Sequence, residues 1–376
     1  MKISIETAGT GSYNLCKHAK GCQMCLKGRK LVLFVTGICH YRCVYCPISE
    51  KKRFKDIAFA NERKINSDND LIEEITISGA TGAGITGGDP LTRTEKTVHY
   101  IRLMKEKFGK EFHCHLYTPF DLVNEKNLKM LYDAGLDEIR FHPYVDNSRL
   151  WPRMNLALKY SWDIGVEIPV IPGKKEETIK LIEFIKDRVS FLNLNELEIS
   201  ETNAGNLSIM GFMPKSDISY GVKGSQELAT ELVDYARQHT KLSVHYCSAK
   251  LKDRIQLGNR LMNRGRNIAR DCDILTEEGT IIRGAIYLKK LAPGFGYRNA
   301  LENADRIKTL EKLEELKSKL KKEKIIVDID YVKMRLTTSL KNIEKHEARL
   351  KKLGLIPAIV EEYPTYDAVE IDVTLL

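Results

Sequence analysis

From residue 31 to residue 247 the chain alternates short apolar runs with amphipathic stretches, and this rhythm narrows the possible folds more than any other feature. Candidate strands fall at 31–36, 84–86, 114–117, 138–142, 166–171, 196–199 and 242–246. Several are nearly continuous apolar runs, as expected of parallel strands covered on both faces. Between them, 94–108 places Val98, Ile101, Leu103 and Met104 at helical spacing, and 176–187 does the same with Ile179, Ile182, Phe184 and Ile185. The stretch 126–134 stops at Gly135, a suitable helix end. Repeated strand–helix units impose right-handed crossovers and a parallel sheet. The expected class is α/β, a full or incomplete (β/α) barrel whose chemistry sits at the C-terminal ends of its strands.

After Cys247 the pattern changes. Residues 250–270 form a basic helical stretch with Lys250, Lys252, Arg254, Arg260, Arg264, Arg266 and Arg270. A hairpin turning at Glu277-Glu278-Gly279-Thr280 follows, then a Pro293-Gly294-Phe295-Gly296 linker. Residues 305–324 alternate Lys and Glu, often four apart, the pattern of a solvent-laced helix. Strand (356–361 and 368–375) and helix (342–353) patterns in the last fifty residues are enough for a small α+β appendage. The expected organisation is a Cys-rich metal-binding segment (1–30), the barrel (31–250), a basic helix and hairpin extension (251–300) and an α+β domain (301–376).

Composition fits a globular protein: 376 residues, 43% hydrophobic and 30% charged. No apolar run approaches the ~20 residues that cross a bilayer, so no membrane partner is expected. Residues 1–7 lack the apolar core of a signal peptide, which points to a cytoplasmic protein. In a reducing compartment nine cysteines, six of them between Cys16 and Cys46, point to metal or redox chemistry and not to disulfides.

The segment Gly37-Ile38-Cys39-His40-Tyr41-Arg42-Cys43-Val44-Tyr45-Cys46-Pro47 follows the first apolar strand. Its CxxxCxxC spacing sets Cys39, Cys43 and Cys46 on one tight loop. Three thiolates ligate three irons of a 4Fe-4S cube and leave the fourth iron open. A structural zinc site would want a fourth ligand in a second pair, and none follows at that spacing. Further on, Ile85-Thr86-Gly87-Gly88-Asp89-Pro90-Leu91 ends the second strand, its two glycines permitting close backbone approach and its carboxylate able to accept from an ammonium group. Val166-Glu167-Ile168-Pro169-Val170-Ile171-Pro172-Gly173 is a strand ending in an apolar-Pro-Gly turn.

In these elements, and in their order, the chain resembles the radical S-adenosylmethionine (radical SAM) superfamily over about residues 30–250, and within it the activating proteins of glycyl-radical enzymes, pyruvate formate-lyase activase-like. The resemblance implies a partial (β/α) barrel with a cluster at Cys39, Cys43 and Cys46 whose open iron chelates SAM. One electron then yields methionine and a 5′-deoxyadenosyl radical that abstracts hydrogen from a substrate. It implies SAM contacts from Gly87, Gly88 and Asp89, with neighbouring Pro90, and from Tyr45, the aromatic residue before the third cysteine. Asp89 stands where the family carries Glu, a shorter reach with the same charge. Residues of the 166–173 strand would pack on adenine. His115, Tyr117, Thr118, Arg140 and His142 end the third and fourth strands and would line the SAM ribose or the substrate. The implied cofactors are a 4Fe-4S cluster and SAM, with a reductant such as ferredoxin or flavodoxin as partner.

A second cysteine group, Cys16, Cys22 and Cys25, precedes the barrel, with Cys247 at the end of the last strand available as a fourth ligand. The expectation is a second metal site, an auxiliary 4Fe-4S cluster or a structural zinc, between which the residues do not choose. Activating proteins with extra clusters usually carry those cysteines in an insert after the catalytic triplet; here they precede it, a departure that weakens the activase resemblance at this point. Cys114 and Cys272 read as ordinary structural cysteines.

Sixty basic against fifty-one acidic residues give +9, and the basic run 250–270 suits a polyanion such as tRNA as well as it suits a solvated face. The substrate readings are RNA or small-molecule modification and, as the alternative, a partner protein that receives a glycyl radical. A non-catalytic iron–sulfur electron carrier would explain the cysteines but not the Gly87-Gly88-Asp89-Pro90 turn.

Overall fold

Burying an apolar strand between two covered faces is worth roughly 1.5–3 kcal/mol for each large side chain, and the centre of the chain is built from such strands. The computed structural model describes residues 9–376 in full and, before them, the backbone of Ser4–Ile5; most of the 1–7 lead lies outside the described residues. The chain divides into two compact units, Met1–Leu257 and Gly258–Leu376.

The first unit holds eleven strands. In chain order they are β1 (Ser4–Ile5), β2 (Tyr13–Leu15), β3 (Lys30–Phe34), β4 (Phe59–Ala60), β5 (Arg63–Lys64) and β6 (Gly82–Thr86). There follow β7 (His113–Thr118), β8 (Glu138–Phe141), β9 (Asp163–Val170), β10 (Phe191–Glu196) and β11 (Ser243–Cys247). The sheet order is β1-β2-β11-β10-β9-β8-β7-β6-β3-β4-β5, with β3, β6, β7, β8, β9, β10 and β11 mutually parallel. Lys30 on β3 and Glu167 on β9 line one cavity although three strands lie between them in the sheet. The sheet therefore curls into an incomplete barrel.

Helix α1 (Lys20–Leu26) precedes the barrel, and α2 (Asp68–Ser78), α3 (Thr94–Phe108), α4 (Glu125–Asp133) and α5 (Lys175–Ile185) make crossovers between its strands. After β10 come α6 (Ala204–Ile209) and α7 (Ser225–His239). Local signals start and stop them. Ser67 and Asp70 form a reciprocal capping box on α2, which ends on Gly79 at φ 64°. One core joins strand residues such as Leu31, Leu33, Ile85, Leu116 and Ile139 to helix residues such as Ile101, Leu128, Leu181 and Leu232.

Beyond β11, α8 (Ala249–Leu251) runs into a π-helical segment, Lys252–Leu257. The strand expected at 196–199 lies earlier, at Phe191–Glu196. Asn193 and Asn195 point inward and donate to the Glu167 carboxylate at 2.8 and 3.0 Å, so a polar interior face hid the strand from a search for apolar runs.

The second unit begins with α9 (Gly258–Ile268) and builds an antiparallel sheet from β12 (Ile274–Leu275), β13 (Ile281–Leu288), β14 (Asp328–Asp330), β15 (Arg335–Thr338), β16 (Leu355–Glu362) and β17 (Glu370–Leu375). Its order is β14-β15-β13-β16-β17, with β12 beside β13, so the hairpin and the last fifty residues share one sheet. Helices α10 (Tyr297–Glu302), α11 (Arg306–Lys322) and α12 (Leu340–Lys352) complete it. The Lys/Glu-rich α11 is not laced by solvent all round, because its Leu313 and Leu320 are buried in a core with Leu336, Ile343 and Leu350. No helix among the described residues is long and apolar enough to cross a membrane.

Candidate functional site

The loop after β3 brings Cys39, Cys43 and Cys46 to one cavity of about 810 Å³, alongside Gly87 and Gly88 from the end of β6. The loop is fixed by its own backbone. Gly37 N–H donates to the Lys55 carbonyl at 2.8 Å, Phe54 N–H to Gly37 at 2.9 Å, and Cys46 N–H to Cys43 at 3.1 Å. The turn after β6 is stitched to the same loop: Gly88 N–H donates to the Thr36 carbonyl at 2.7 Å and Asp89 N–H to Ile38 at 2.9 Å. A β-carbon on Gly87 would stand 2.4 Å from the Thr36 oxygen, and one on Gly88 2.3 Å from the Ile38 oxygen and 2.9 Å from the Cys39 β-carbon. Only glycine permits this approach. Spacing credits these glycines with closeness to a ligand; the first partner they approach is the cysteine loop.

Tyr45 lines the cavity too, whereas Asp89 and Pro90 are buried and do not. Asp89 Oδ1 accepts from Leu91 N–H at 3.0 Å and from the Thr118 hydroxyl at 2.9 Å, which caps the short turn Pro90–Arg93. Burial pushes its carboxyl up to about 6 against the pull of those donors. Its side chain is thus engaged in holding the turn that carries Gly87 and Gly88.

Burial also pushes the Cys39 thiol up to about 11 and raises Cys43. Tyr41 N–H reaches Cys39 Sγ at 3.3 Å, the Tyr144 hydroxyl reaches Cys43 Sγ at 3.2 Å, and the two tyrosine rings stack at 4.5 Å. Grouped thiols that resist ionisation give up their protons to a cation that neutralises them, as in metal-coupled thiol deprotonation. Cys39, Cys43 and Cys46 present three thiols from one loop to one cavity. The donor set fits a cluster of several irons.

Deeper in the barrel the cavity meets a charged network. Arg140 on β8 is 2% exposed and pairs with Glu138 at 2.5 Å and Glu167 at 2.7 Å, with the Tyr117 hydroxyl at 3.3 Å. Burial would raise Glu167, but Arg140, Asn193 and Asn195 hold it down at about 2. The His142 imidazole, lowered by burial and so neutral, hydrogen-bonds the Tyr45 hydroxyl through Nε2 at 3.0 Å and the Glu167 carbonyl through Nδ1 at 2.8 Å. Tyr117, Thr118 and His142 line the cavity; His115 and Arg140 are sealed beneath it. From the 166–173 strand, Pro169 lines the large cavity, while Ile168, Pro169 and Ile171 line an adjoining one of about 260 Å³ with Cys43 and Tyr45.

Lys252 of the basic run lines the cavity, as do Lys30 and Asn195, which were not foreseen. The signal for Asn195 was there: polar residues two apart on a strand share one face.

The second cysteine group is partly gathered. Gln256 in the π-helical segment accepts from Cys25 Sγ at 2.9 Å through its Oε1 and donates through Nε2 to Cys247 Sγ at 3.3 Å. Cys22 Sγ accepts from Asn193 at 3.2 Å and Arg140 at 3.6 Å. Cys16 is exposed, its φ at 72°. Cys114 is buried on β7, and Cys272 is half-buried.

Three of the seven cations of the basic run are committed within their own units. Lys252 pairs with Glu198 at 2.5 Å, Arg264 is buried and donates to the Pro364 carbonyl, and Arg270 pairs with Asp273 at 3.0 Å and Asp328 at 3.1 Å.

Residues 33–185 match the family model of the radical SAM superfamily. A protein of Methanocaldococcus jannaschii, named as a candidate glycyl-radical enzyme activating enzyme, is 39% identical over 96% of this chain and 93% of its own length. GTP 3′,8-cyclase of Lactiplantibacillus plantarum is 35% identical over 28% of this chain and 31% of its own. Among solved structures, Streptococcus suis SuiB bound to S-adenosylmethionine aligns at a TM-score of 0.41 and 12% identity, over 58% of this chain and 50% of that one. Methylornithine synthase aligns at 0.39 and 12%, over 61% and 72%. The chain thus spans about half the length of SuiB. Matched along almost its whole length by one relative and through its cysteine loop by the family model, the chain belongs to the radical SAM superfamily and is an enzyme of that class, whose cofactors are a 4Fe-4S cluster and SAM.

Proposed function

We propose that the enzyme activates a partner protein by installing a glycyl radical, with Cys39, Cys43 and Cys46 holding the catalytic cluster and the Gly87–Gly88 turn receiving SAM. The observation that carries the site is the shared cavity wall, on which the cysteine loop and the glycine turn are joined by backbone hydrogen bonds. A cluster held there, once reduced by the reductant partner, would supply the electron for reductive cleavage of SAM. Around it the chain's own groups do the positioning: Asp89 fixes the turn, Tyr45 and His142 brace one wall, and Ile168, Pro169 and Ile171 offer an apolar face for adenine.

The partner-protein reading is supported by the name of the Methanocaldococcus jannaschii relative and by Phe54 and Tyr220, which line the cavity yet stand 58% and 63% exposed. Exposed apolar side chains at a cavity mouth suit an entering peptide segment. The RNA reading has less support, since Lys252, Arg264 and Arg270 are already paired. A ferredoxin or flavodoxin is the proposed reductant.

Cys16, Cys22, Cys25 and Cys247 are the proposed ligands of a second site. The shared Gln256 contact supports the grouping, and the ligand set suits an auxiliary 4Fe-4S cluster or a structural zinc.

The deciding experiment is anaerobic. The chain is reconstituted with iron and sulfide, reduced with dithionite and given SAM, and 5′-deoxyadenosine is quantified against Cys43→Ala. Product from the native chain alone supports the site; product from both discards it. A glycyl-radical doublet in the electron paramagnetic resonance of an added glycyl-radical enzyme supports the partner reading, whereas salt-sensitive stimulation by tRNA would transfer the activity to RNA. About eight irons per chain support the second cluster, and about four without zinc remove it.

A further inference from the structure

At the N-terminal ends of the barrel strands, away from the cysteine loop, the fold assembles a different donor set. His113 and His115 share one face of β7, because strand residues alternate, and β8 pairs Glu138 with His115. One ligand atom from each of these three residues lies within 4.8 Å of the other two, the only such group of His, Cys, Asp and Glu among the described residues. His115 is 0% exposed, and its Nδ1 has no hydrogen-bond partner. His113 Nε2 stands 3.3 Å from Glu138 Oε2 without the alignment of a hydrogen bond.

The surroundings are built to hold these groups. Arg140 grips Glu138 Oε1 at 2.5 Å and is itself shared with Glu167 at 2.7 Å, so its charge is divided between two carboxylates. On the other side Gly21 N–H of α1 donates to Glu138 Oε2 at 3.3 Å. Helix α1 sits so close that a β-carbon on Gly21 would lie 2.8 Å from His115 Cε1. Only His113, whose side chain keeps 9% of its surface, leads outward.

We propose that His113, His115 and Glu138 bind one divalent transition-metal ion, best matched by zinc, in a structural site under α1. Two imidazoles with one carboxylate are a donor set for zinc and its first-row neighbours, whereas calcium and magnesium select oxygen donors. The ion gives the sealed His115 nitrogen a partner, and Arg140 and Gly21 act as the outer groups that orient the carboxylate. It joins β7 and β8 beneath the helix that carries Cys22 and Cys25. The site is independent of the catalytic proposal, since it shares no ligand with either cysteine group.

The test uses the full chain with its cluster reconstituted, then incubated with zinc chloride and desalted. Metal analysis is expected to find one retained zinc, and X-ray absorption at the zinc edge a nitrogen and oxygen shell at about 2.0–2.1 Å with no sulfur at about 2.3 Å. His115→Ala and Glu138→Gln are each expected to weaken retention at least tenfold while iron content stays unchanged. Zinc should raise the melting temperature of the native chain by several degrees and that of neither variant, as expected of a ligand bound only by the folded state. Should these buried variants fail to fold, His113→Asn at the partly exposed edge carries the same expectation. No retained zinc, a sulfur-containing shell, or undiminished retention in the folded variants would overturn the site.

Discussion

Arg140 in the first unit and Arg335 in the second are the two largest sealed side chains among the described residues, and they are neutralised in opposite ways. Arg140 meets two carboxylates, Glu138 and Glu167, and the second of these also faces the cavity. Arg335, 0% exposed, meets three: Glu362, Asp330 at 3.0 Å and Glu370 at 3.2 Å. Each arginine also donates to a tyrosine hydroxyl, Tyr117 at 3.3 Å and Tyr287 at 2.8 Å. Burial lifts the Glu362 carboxyl above its ordinary value despite Arg335 and Arg283, while Glu167 is held at about 2. The second network is closed, with Lys333 on Glu370 at 2.7 Å and Arg283 on Glu362 at 3.5 Å completing its charge balance, a structural clamp. The first keeps its acids ionised beside space that a ligand can use.

The largest effect expected from this contrast is at Arg335. Arg335→Ala removes the sealed cation that Glu362, Asp330 and Glu370 share, leaving Glu362 to Arg283 and Glu370 to Lys333, and should cost about 3–5 kcal/mol, read from the urea midpoint of the full chain. A loss under 1 kcal/mol would dissolve the distinction between clamp and site wall.

Next comes acid. Glu167 has a folded pKa of about 2, below its ordinary 4.5. Its stabilisation is therefore complete above pH 4.5 and disappears as pH falls toward 2, a loss of at most about 3 kcal/mol at 1.36 kcal/mol per unit. Glu167→Gln should flatten that acid limb. Glu362, shifted the other way, contributes most at low pH and less as pH rises, so Glu362→Gln should leave the acid limb in place.

Arg140→Ala should cost about 2 kcal/mol, less than Arg335→Ala, because water from the cavity can rehydrate Glu167. An equal cost for the two arginines would mean that the cavity gives no relief. The smallest effect separates the tyrosines: Tyr287→Phe should cost about 1 kcal/mol and Tyr117→Phe about half that, in proportion to the quality of the bonds removed.

The contrast also marks what was legible in the residues. Apolar strands such as β3 and β6 and strongly periodic helices such as α3 could be placed within a few residues, because their burial is written in composition. The cysteine spacing announced its loop for the same reason: ligand chemistry dictates residue type. Strand β10 was misplaced because its inward positions, Asn193 and Asn195, serve Glu167 and not the core. Asp89 read as a ligand group, but only the fold reveals that Leu91 N–H and the Thr118 hydroxyl occupy its Oδ1. Gln256 carries no signal of its own; its link between Cys25 and Cys247 depends on where the π-helical turn sets it down. Polar side chains answer to partners distant in sequence, and period and propensity do not encode those partners.

The stitching of the Gly87–Gly88 turn to the cysteine loop bears on repair. The bonds from Gly88 N–H to Thr36 and from Asp89 N–H to Ile38 involve no sulfur, so oxidative loss of iron leaves them standing. With the cluster on this loop as proposed, a copy that lost its iron would keep the backbone mould, and restoring it would call for iron and sulfide and not for a newly synthesised chain.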